Sequence, residues 1–246
     1  MAEPLLRLDS VSRAHLRGLD RIKVLNDVSL EVRRGELMGV YGQRSRGKTT
    51  LLRVAAGFEA PDAGVVAFEG RDLASVTRRE LARLHREEIS WVERGGPHIR
   101  ELSVSAYVAL PLCGKLSASE AKWRATAALG RVGVREYASQ RWDDLSDTTR
   151  MLVAIAHAIV RRPKLVVVDD PTAGLGTLDR DQVVALLRTA AEEDSFGVLM
   201  AVPDMPAMLQ ATEIRLLSRG HLIAPQGPRP DGQANVVDFP QHRRGQ

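Results

Sequence analysis

Nine residues, Gly42-Gln43-Arg44-Ser45-Arg46-Gly47-Lys48-Thr49-Thr50, restrict this chain to a small set of folds. They match G-x-x-x-x-G-K-[ST], follow the apolar run Leu37 to Tyr41, and precede a helical pattern of Leu51, Leu52, Val54 and Ala55. Strand, glycine-rich loop and helix in that order form a phosphate-binding loop. Glycines let backbone N–H groups turn toward phosphate oxygens, and the new helix offers its positive end. Lys48 is placed to reach the terminal phosphates of a nucleotide, and Thr49 to ligate Mg²⁺.

A length of 246 residues suffices for one large domain, or a core with a subdomain. No apolar stretch approaches the roughly 20 residues of a membrane span, and the N-terminus lacks a signal-peptide pattern, so a cytosolic chain is expected. Only 5 of the 35 basic residues are lysine, and the arginines are scattered, so no nucleic-acid partner is expected. Cys113 stands alone and the six histidines show no ligand spacing, which excludes a disulfide framework and a Cys- or His-based metal site.

Periodicity divides the chain. Strands are predicted at Leu6 to Val11, Val24 to Val32, Leu37 to Tyr41, Val65 to Phe68 and Ile89 to Val92, with a helix after the loop to Gly57 and another from Thr77 to Arg86. Helices dominate about 95–160. One is predicted over Leu102 to Leu112, a second opens at a Ser117–Glu120 capping box and runs to Val132, and a third follows Leu145-Ser146. The apolar strand Leu165 to Val168 ends in Asp169-Asp170. A helix over Asp179 to Glu193, a strand over Val198 to Val202 and a hairpin turned at Arg219-Gly220 follow. The fold class is α/β, with a mostly parallel sheet carrying the phosphate loop, a strand-rich N-terminal edge and an inserted helical subdomain. Residues 1–224 are expected to form one nucleotide-binding domain, and the Pro-, Gly- and Arg-containing residues 225–246 a mobile tail.

Several stretches together resemble the nucleotide-binding subunits of ABC transporters. Val28-Ser29-Leu30 and Arg34-Gly35-Glu36 lead into the loop. Leu145-Ser146 and Val153 to Ile159 are similar to the signature helix, and Leu165 to Leu175 to the Walker B strand and the loop after it. Leu102-Ser103-Val104 to Leu110-Pro111-Leu112 is similar to the macrolide-exporter and lipoprotein-release branch. The resemblance implies ATP and Mg²⁺ as ligands, a location on the cytoplasmic face of the membrane, and membrane permease partners. It also implies two subunits that sandwich two ATP molecules, each between the phosphate loop of one chain and the signature of the other.

The resemblance also assigns roles. Gly42 to Thr50 would hold the phosphates and Asp169 would share Mg²⁺ with Thr49, while His15 falls where an aromatic ring stacks on adenine. Arg46 adds charge beside the phosphates, although Ser45 and Arg46 occupy positions usually small or glycine. Asp170 replaces the glutamate that polarises the attacking water. One methylene less withdraws the carboxylate by about 1 Å, enough to cost on the order of a hundredfold in rate. Pro203 aligns with the histidine that meets the γ-phosphate, and proline has no side-chain donor. Arg94 aligns with the glutamine that contacts Mg²⁺. A guanidinium does not ligate a metal, though it can touch a phosphate.

The inter-subunit aspartate aligns with Gly176, with Asp179 as the alternative. The Leu-Ser-Gly-Gly-Gln signature is here Leu145-Ser146-Asp147-Thr148-Thr149, of which Ser146 survives as a phosphate ligand. Asp147 puts a carboxylate where an anion must come, opposing it by about 3 kcal/mol at ~6 Å and an effective dielectric near 20. Asp147 can also simply cap its own helix.

The favoured expectation is an ATP-binding subunit with weak or no hydrolysis, paired with a second nucleotide-binding subunit and with permease subunits. An ordinary homodimeric motor and a nucleotide-gated scaffold without transport are the alternatives. The permease is expected to insert a short helix near Arg94, where Trp91, Ile99, Leu102 and Tyr107 either line the groove or belong to the core.

Overall fold

The computed structural model describes residues 3–18, 20–92, 102–172, 174–203, 206 and 210–224. Arg94, Ile99 and the 225–246 segment lie outside them.

Two strands, β1 (Leu6–Arg17) and β2 (Asp20–Val32), pair antiparallel as a long hairpin. It extends beyond the predicted strands because the mixed, largely charged residues at its tip also pair, Arg17 with Asp20 and Leu16 with Arg21. Inward alternation sets its face: Leu25, Val28, Leu30 and Val32 of β2 are buried while their neighbours face outward. The alternation slips at two bulges, where Ser10 and Asp27 take left-handed φ of 52° and 53°. Side chains seal both: the Ser10 N–H donates to Ser29 Oγ at 2.9 Å, and the Asp27 N–H to Ser12 Oγ at 3.1 Å. With β4 (Ala63–Phe68) and β5 (Arg71–Asp72), the hairpin makes a four-stranded antiparallel sheet in the order β2-β1-β4-β5.

The second sheet has the order β10-β9-β3-β8-β7-β6. It joins β3 (Leu37–Tyr41), β6 (Ile89–Val92), β7 (Leu165–Asp169), β8 (Gly197–Val202), β9 (Glu213–Ser218) and β10 (His221–Ile223). All its ladders are parallel except the β9–β10 hairpin. Its central strands are apolar on both faces because both faces are covered. Leu165, Val167, Leu199 and Ala201 pack toward α1 (Lys48–Ala55) and the antiparallel sheet. Val166, Val168, Val198, Met200 and Val202 face the helical layer. Lys164 adds a polar tie, with Nζ 2.6 Å from Glu69 Oε2 and 2.7 Å from Glu88 Oε2.

The remaining helices are α2 (Arg78–Glu87), α3 (Val104–Ala109), α4 (Ala118–Arg131), α5 (Asp147–Ile159) and α6 (Thr177–Asp194). Two sequence expectations change here. The helix expected over Leu102 to Leu112 stops at Ala109 and tightens into a 3₁₀ turn over Leu110–Leu112. Pro111 explains this, since it carries no N–H for an α-helical bond. Only half of the Ser117–Glu120 box forms: Ser117 Oγ accepts from the Glu120 N–H at 3.3 Å, but the Glu120 carboxylate accepts from Arg124 instead. A complete reciprocal box occurs at α2, between Thr77 and Glu80. Tyr107 is core, packed edge-on to Trp142, while Trp91 lies half-buried against the exposed Phe58.

His157 of α5 stacks on Tyr107 with ring centroids 4.4 Å apart and planes 7° from parallel. Burial, and secondarily the Arg161 guanidinium, lowers its pKa to about 4. A histidine held neutral in the fold gives stability that is complete above its unfolded pKa of about 6.5 and lost as pH falls toward 4. This residue should cost up to about 3 kcal/mol over that window. Urea midpoints measured at pH 7.5 and 4.5 check this, because His157→Phe should narrow the gap between them and an unchanged gap would contradict it.

Candidate functional site

Parallel register brings distant segments to one edge of the large sheet. Tyr41 of β3 pairs with Val202 of β8, and Asp169 of β7 with Ala201, so the residues that follow each strand emerge together. In open α/β sheets this carboxyl edge is where ligands bind.

The phosphate loop leaves β3 at Gly42. A Cβ there would stand 2.5 Å from the Leu217 carbonyl oxygen, and one at Gly47 would stand 2.6 Å from that of Val24. Backbone from β9 and β2 therefore closes on the loop from outside and leaves room only for glycine. Gly47 also has φ of 96°, in the left-handed region, and starts α1 by accepting from the Leu51 N–H at 2.8 Å. No side chain caps α1, so its first-turn N–H groups stay available to an anion.

Lys48 is 9% exposed, and its Nζ donates to the carbonyls of Gly42 at 2.6 Å and Gln43 at 3.0 Å. Burial holds its pKa below the usual lysine value, with Asp170 and Asp169 pulling it up and Arg44 pressing it down. Thr49 Oγ1 donates to Asp169 Oδ2 at 2.8 Å, across 120 positions of sequence. A hydroxyl and a carboxylate at that separation are the hard oxygen donors Mg²⁺ takes, and the loop's close-packed glycines suit a triphosphate, so these residues fit Mg²⁺ and ATP. His15 joins the same site, with Nε2 3.1 Å from Thr50 Oγ1 and 3.9 Å from Glu59 Oε2.

Asp170 has a left-handed backbone, φ 50°, and its N–H donates to the Ala201 carbonyl at 2.8 Å. Its carboxylate accepts from the buried Thr172 hydroxyl at 3.3 Å. Asparagine and aspartate tolerate this conformation better than glutamate does. Pro203 sits in a half-buried bend just after β8.

At the start of α5 the cap is Ser146, not Asp147. Ser146 Oγ accepts from the Thr149 N–H at 3.1 Å and lies 2.9 Å from Thr149 Oγ1, because its extended backbone (ψ 160°) places it just outside the helix. Asp147 is the first helical residue, its side chain 73% exposed and 3.3 Å from Arg150 Nη1. Arg150 therefore offsets part of the opposing charge. Thr148 Oγ1 donates to Asp179 Oδ2 at 2.9 Å, tying the signature segment to the first turn of α6. The Ser146 hydroxyl is engaged within its own helix turn rather than with the phosphate loop.

Three participants were missed from sequence. Glu59 and Thr172 acquire their positions only through folding, and nothing local marks them. Arg150 was legible, since a basic residue three positions after an aspartate on a helix is a neighbour.

Comparison with known proteins accords with this geometry. The family model described as "ABC transporter" matches residues 25–173. The lipoprotein-releasing system ATP-binding protein LolD of Idiomarina loihiensis is 29% identical over 229 residues, covering 92% of this chain and 100% of that protein. LolD 2 of Caulobacter vibrioides is 32% identical over 224 residues, covering 90% and 98%. The ATP-binding cassette MJ0796, solved as a dimer in a post-hydrolysis state with ADP and Pi, has a TM-score of 0.79 at 26% identity, covering 88% of this chain and 96% of that one. Among the described residues no helix is long and apolar enough to cross a membrane. The family match spans more than half of the sequence, and the chain belongs to the ABC transporter family as an ATP-binding subunit.

Proposed function

We propose that this chain binds Mg²⁺-ATP within a heteromeric transporter and hydrolyses it slowly or not at all, leaving most of the power stroke to a second nucleotide-binding subunit. One observation carries the proposal. Lys48, Thr49 and Asp169 converge as a binding set, while the positions that would activate water hold Asp170 and Pro203. In this reading Gly42 to Thr50 cradle the phosphates, Thr49 and Asp169 hold Mg²⁺, and His15 meets the base. Arg94 meets a phosphate, and residues 1–224 form one domain with a helical subdomain at about 95–160.

Among the described residues Asp170 is the candidate base. Its carboxylate is short by one methylene and already accepts a hydrogen bond from Thr172. Pro203 supplies no donor to steady the attacking water. On the partner's side, Thr148 donates its hydroxyl to Asp179 and Asp147 sets a carboxylate at the helix start, which weakens what this chain offers a phosphate bound by another chain. Both composite sites of a heterodimer are then slow. The curated relatives are ATP-binding proteins of lipoprotein-releasing systems. In this reading the chain lies on the cytoplasmic face of the membrane, docked on permease subunits. The permease's helix would enter near Trp91 and Leu102, which are half-buried. The dimeric form of MJ0796 favours a second reading, a homodimeric motor.

Two measurements separate these readings. The purified chain should bind ATP with little turnover, and the double substitution Asp170→Glu with Pro203→His should raise turnover by about tenfold or more. A brisk rate in the unsubstituted protein that disappears in Lys48→Ala would favour the homodimeric motor. Mixing with the candidate partner ATPase should give turnover indifferent to Asp170→Ala in this chain, whereas strict dependence on Asp170 would defeat the proposal.

A further inference from the structure

Arginines that are scattered in the sequence come together on α2. Arg79, Arg83 and Arg86 stand four and three positions apart, so the helix lines them up on one face. All three are exposed, and they lie opposite Leu84, which is buried, and Leu81, which is half-buried. Among the described residues the Arg79 and Arg86 side chains have no hydrogen bond or ion pair. Arg83 reaches Glu87 at 3.5 Å and Glu88 at 3.6 Å, both too long for strong pairing. The carboxylates that flank this face are engaged within the chain. Glu80 turns back to the Thr77 hydroxyl and N–H, which hold its carboxyl below the usual carboxylate range. Glu87 also lies 3.5 Å from Lys115 Nζ.

A row of guanidinium groups in excess of its carboxylates suits a partner that carries many negative charges. Ala82 is the one exposed apolar residue of α2, so this face gives a protein partner almost nothing to bury. Protein interfaces are built around an apolar centre. A layer of anionic headgroups needs charge alone, and the guanidinium fork matches phosphate with two parallel hydrogen bonds. α2 is also fixed to the side where the permease is proposed to enter. His85 stacks on Phe58 with ring centroids 4.3 Å apart, and Phe58 meets Trp91 edge-on at 5.3 Å. His85 Nε2 lies 2.7 Å from the Ala56 carbonyl oxygen, which anchors α2 to the end of α1.

We infer that the arginine face of α2 rests against anionic phospholipid headgroups beside the permease, giving the chain a second, salt-sensitive hold on the membrane. The inference rests on the docked location proposed above and adds a partner to it.

Sedimentation of the purified full chain with vesicles tests this, using phosphatidylcholine alone and phosphatidylcholine with about one-third phosphatidylglycerol. The chain should pellet with the anionic vesicles, stay in solution with the neutral ones, and come off as salt rises from about 0.05 M to about 0.5 M. Arg79→Gln, Arg83→Gln and Arg86→Gln together should weaken binding to anionic vesicles by about tenfold or more. The control Arg7→Gln, Arg135→Gln and Arg188→Gln removes equal charge from exposed positions on other elements, and should weaken it by less than about threefold. Thermal melting checks that each variant folds, and Arg79→Gln with Arg86→Gln carries the test if the triple variant does not. Equal binding to both vesicles, indifference to salt, or equal losses in the two triple variants would overturn the inference. Arginine-dependent retention in the membrane fraction of cells, with no binding to anionic vesicles, would assign the face to an acidic protein segment and overturn lipid recognition while leaving the docked location intact. An unsubstituted chain found in the soluble fraction of those cells would overturn the docked location and this inference with it.

Discussion

The parallel ladder β3-β8-β7 is the constraint on which every other feature of the site depends. It sets Tyr41 beside Val202 and Ala201 beside Asp169. The phosphate loop, the Asp169-Asp170 pair and Pro203 consequently share one edge, although long helical segments separate them in sequence. The Thr49–Asp169 bond at 2.8 Å is the visible product of that register. A slip of one residue in either strand would turn its side chains to the opposite face and dismantle the pair. Burial on both faces prevents such a slip, since each central strand packs one set of side chains against α1 and the other against the helical layer.

The same scaffold accepts changes at the chemistry without losing its shape. Asp170 follows a fully buried strand and takes a left-handed backbone, while Pro203 occupies a bend where β8 has already ended and no ladder bond is lost. Asp147 is exposed and partnered by Arg150. None of the three residues disturbs packing, so folding places no pressure on them. The glycines at 42 and 47 differ, because surrounding backbone would collide with any side chain. Structural necessity thus falls on the glycines of the phosphate loop and spares the positions that the proposal links to water activation.

Much of the fold was legible from the residues. The phosphate loop announced strand, turn and helix, and the apolar runs at 165–168 and 198–202 announced buried parallel strands. Helix starts were less readable, because a Ser-x-x-Glu pattern does not reveal whether its glutamate will turn back to the cap or pair with an arginine along the helix, as Glu120 does. The hairpin tip is not legible in the sequence because its few apolar residues, such as Leu16 and Ile22, each pair with a polar partner and form no apolar face. At the site, Lys48 and Thr49 could be read locally and Asp169 through its strand. The contacts on Asp170 from Thr172 and on Thr148 from Asp179 arise only from tertiary placement.

If the proposed function holds, nucleotide should stay bound and chemically unchanged. The direct measurement is to load the purified chain with Mg²⁺-ATP, remove free nucleotide, incubate for an hour, quench in acid and chromatograph what was bound. Intact ATP, absent from Lys48→Ala, is the result expected of this site. Conversion to ADP and phosphate within that hour would contradict it.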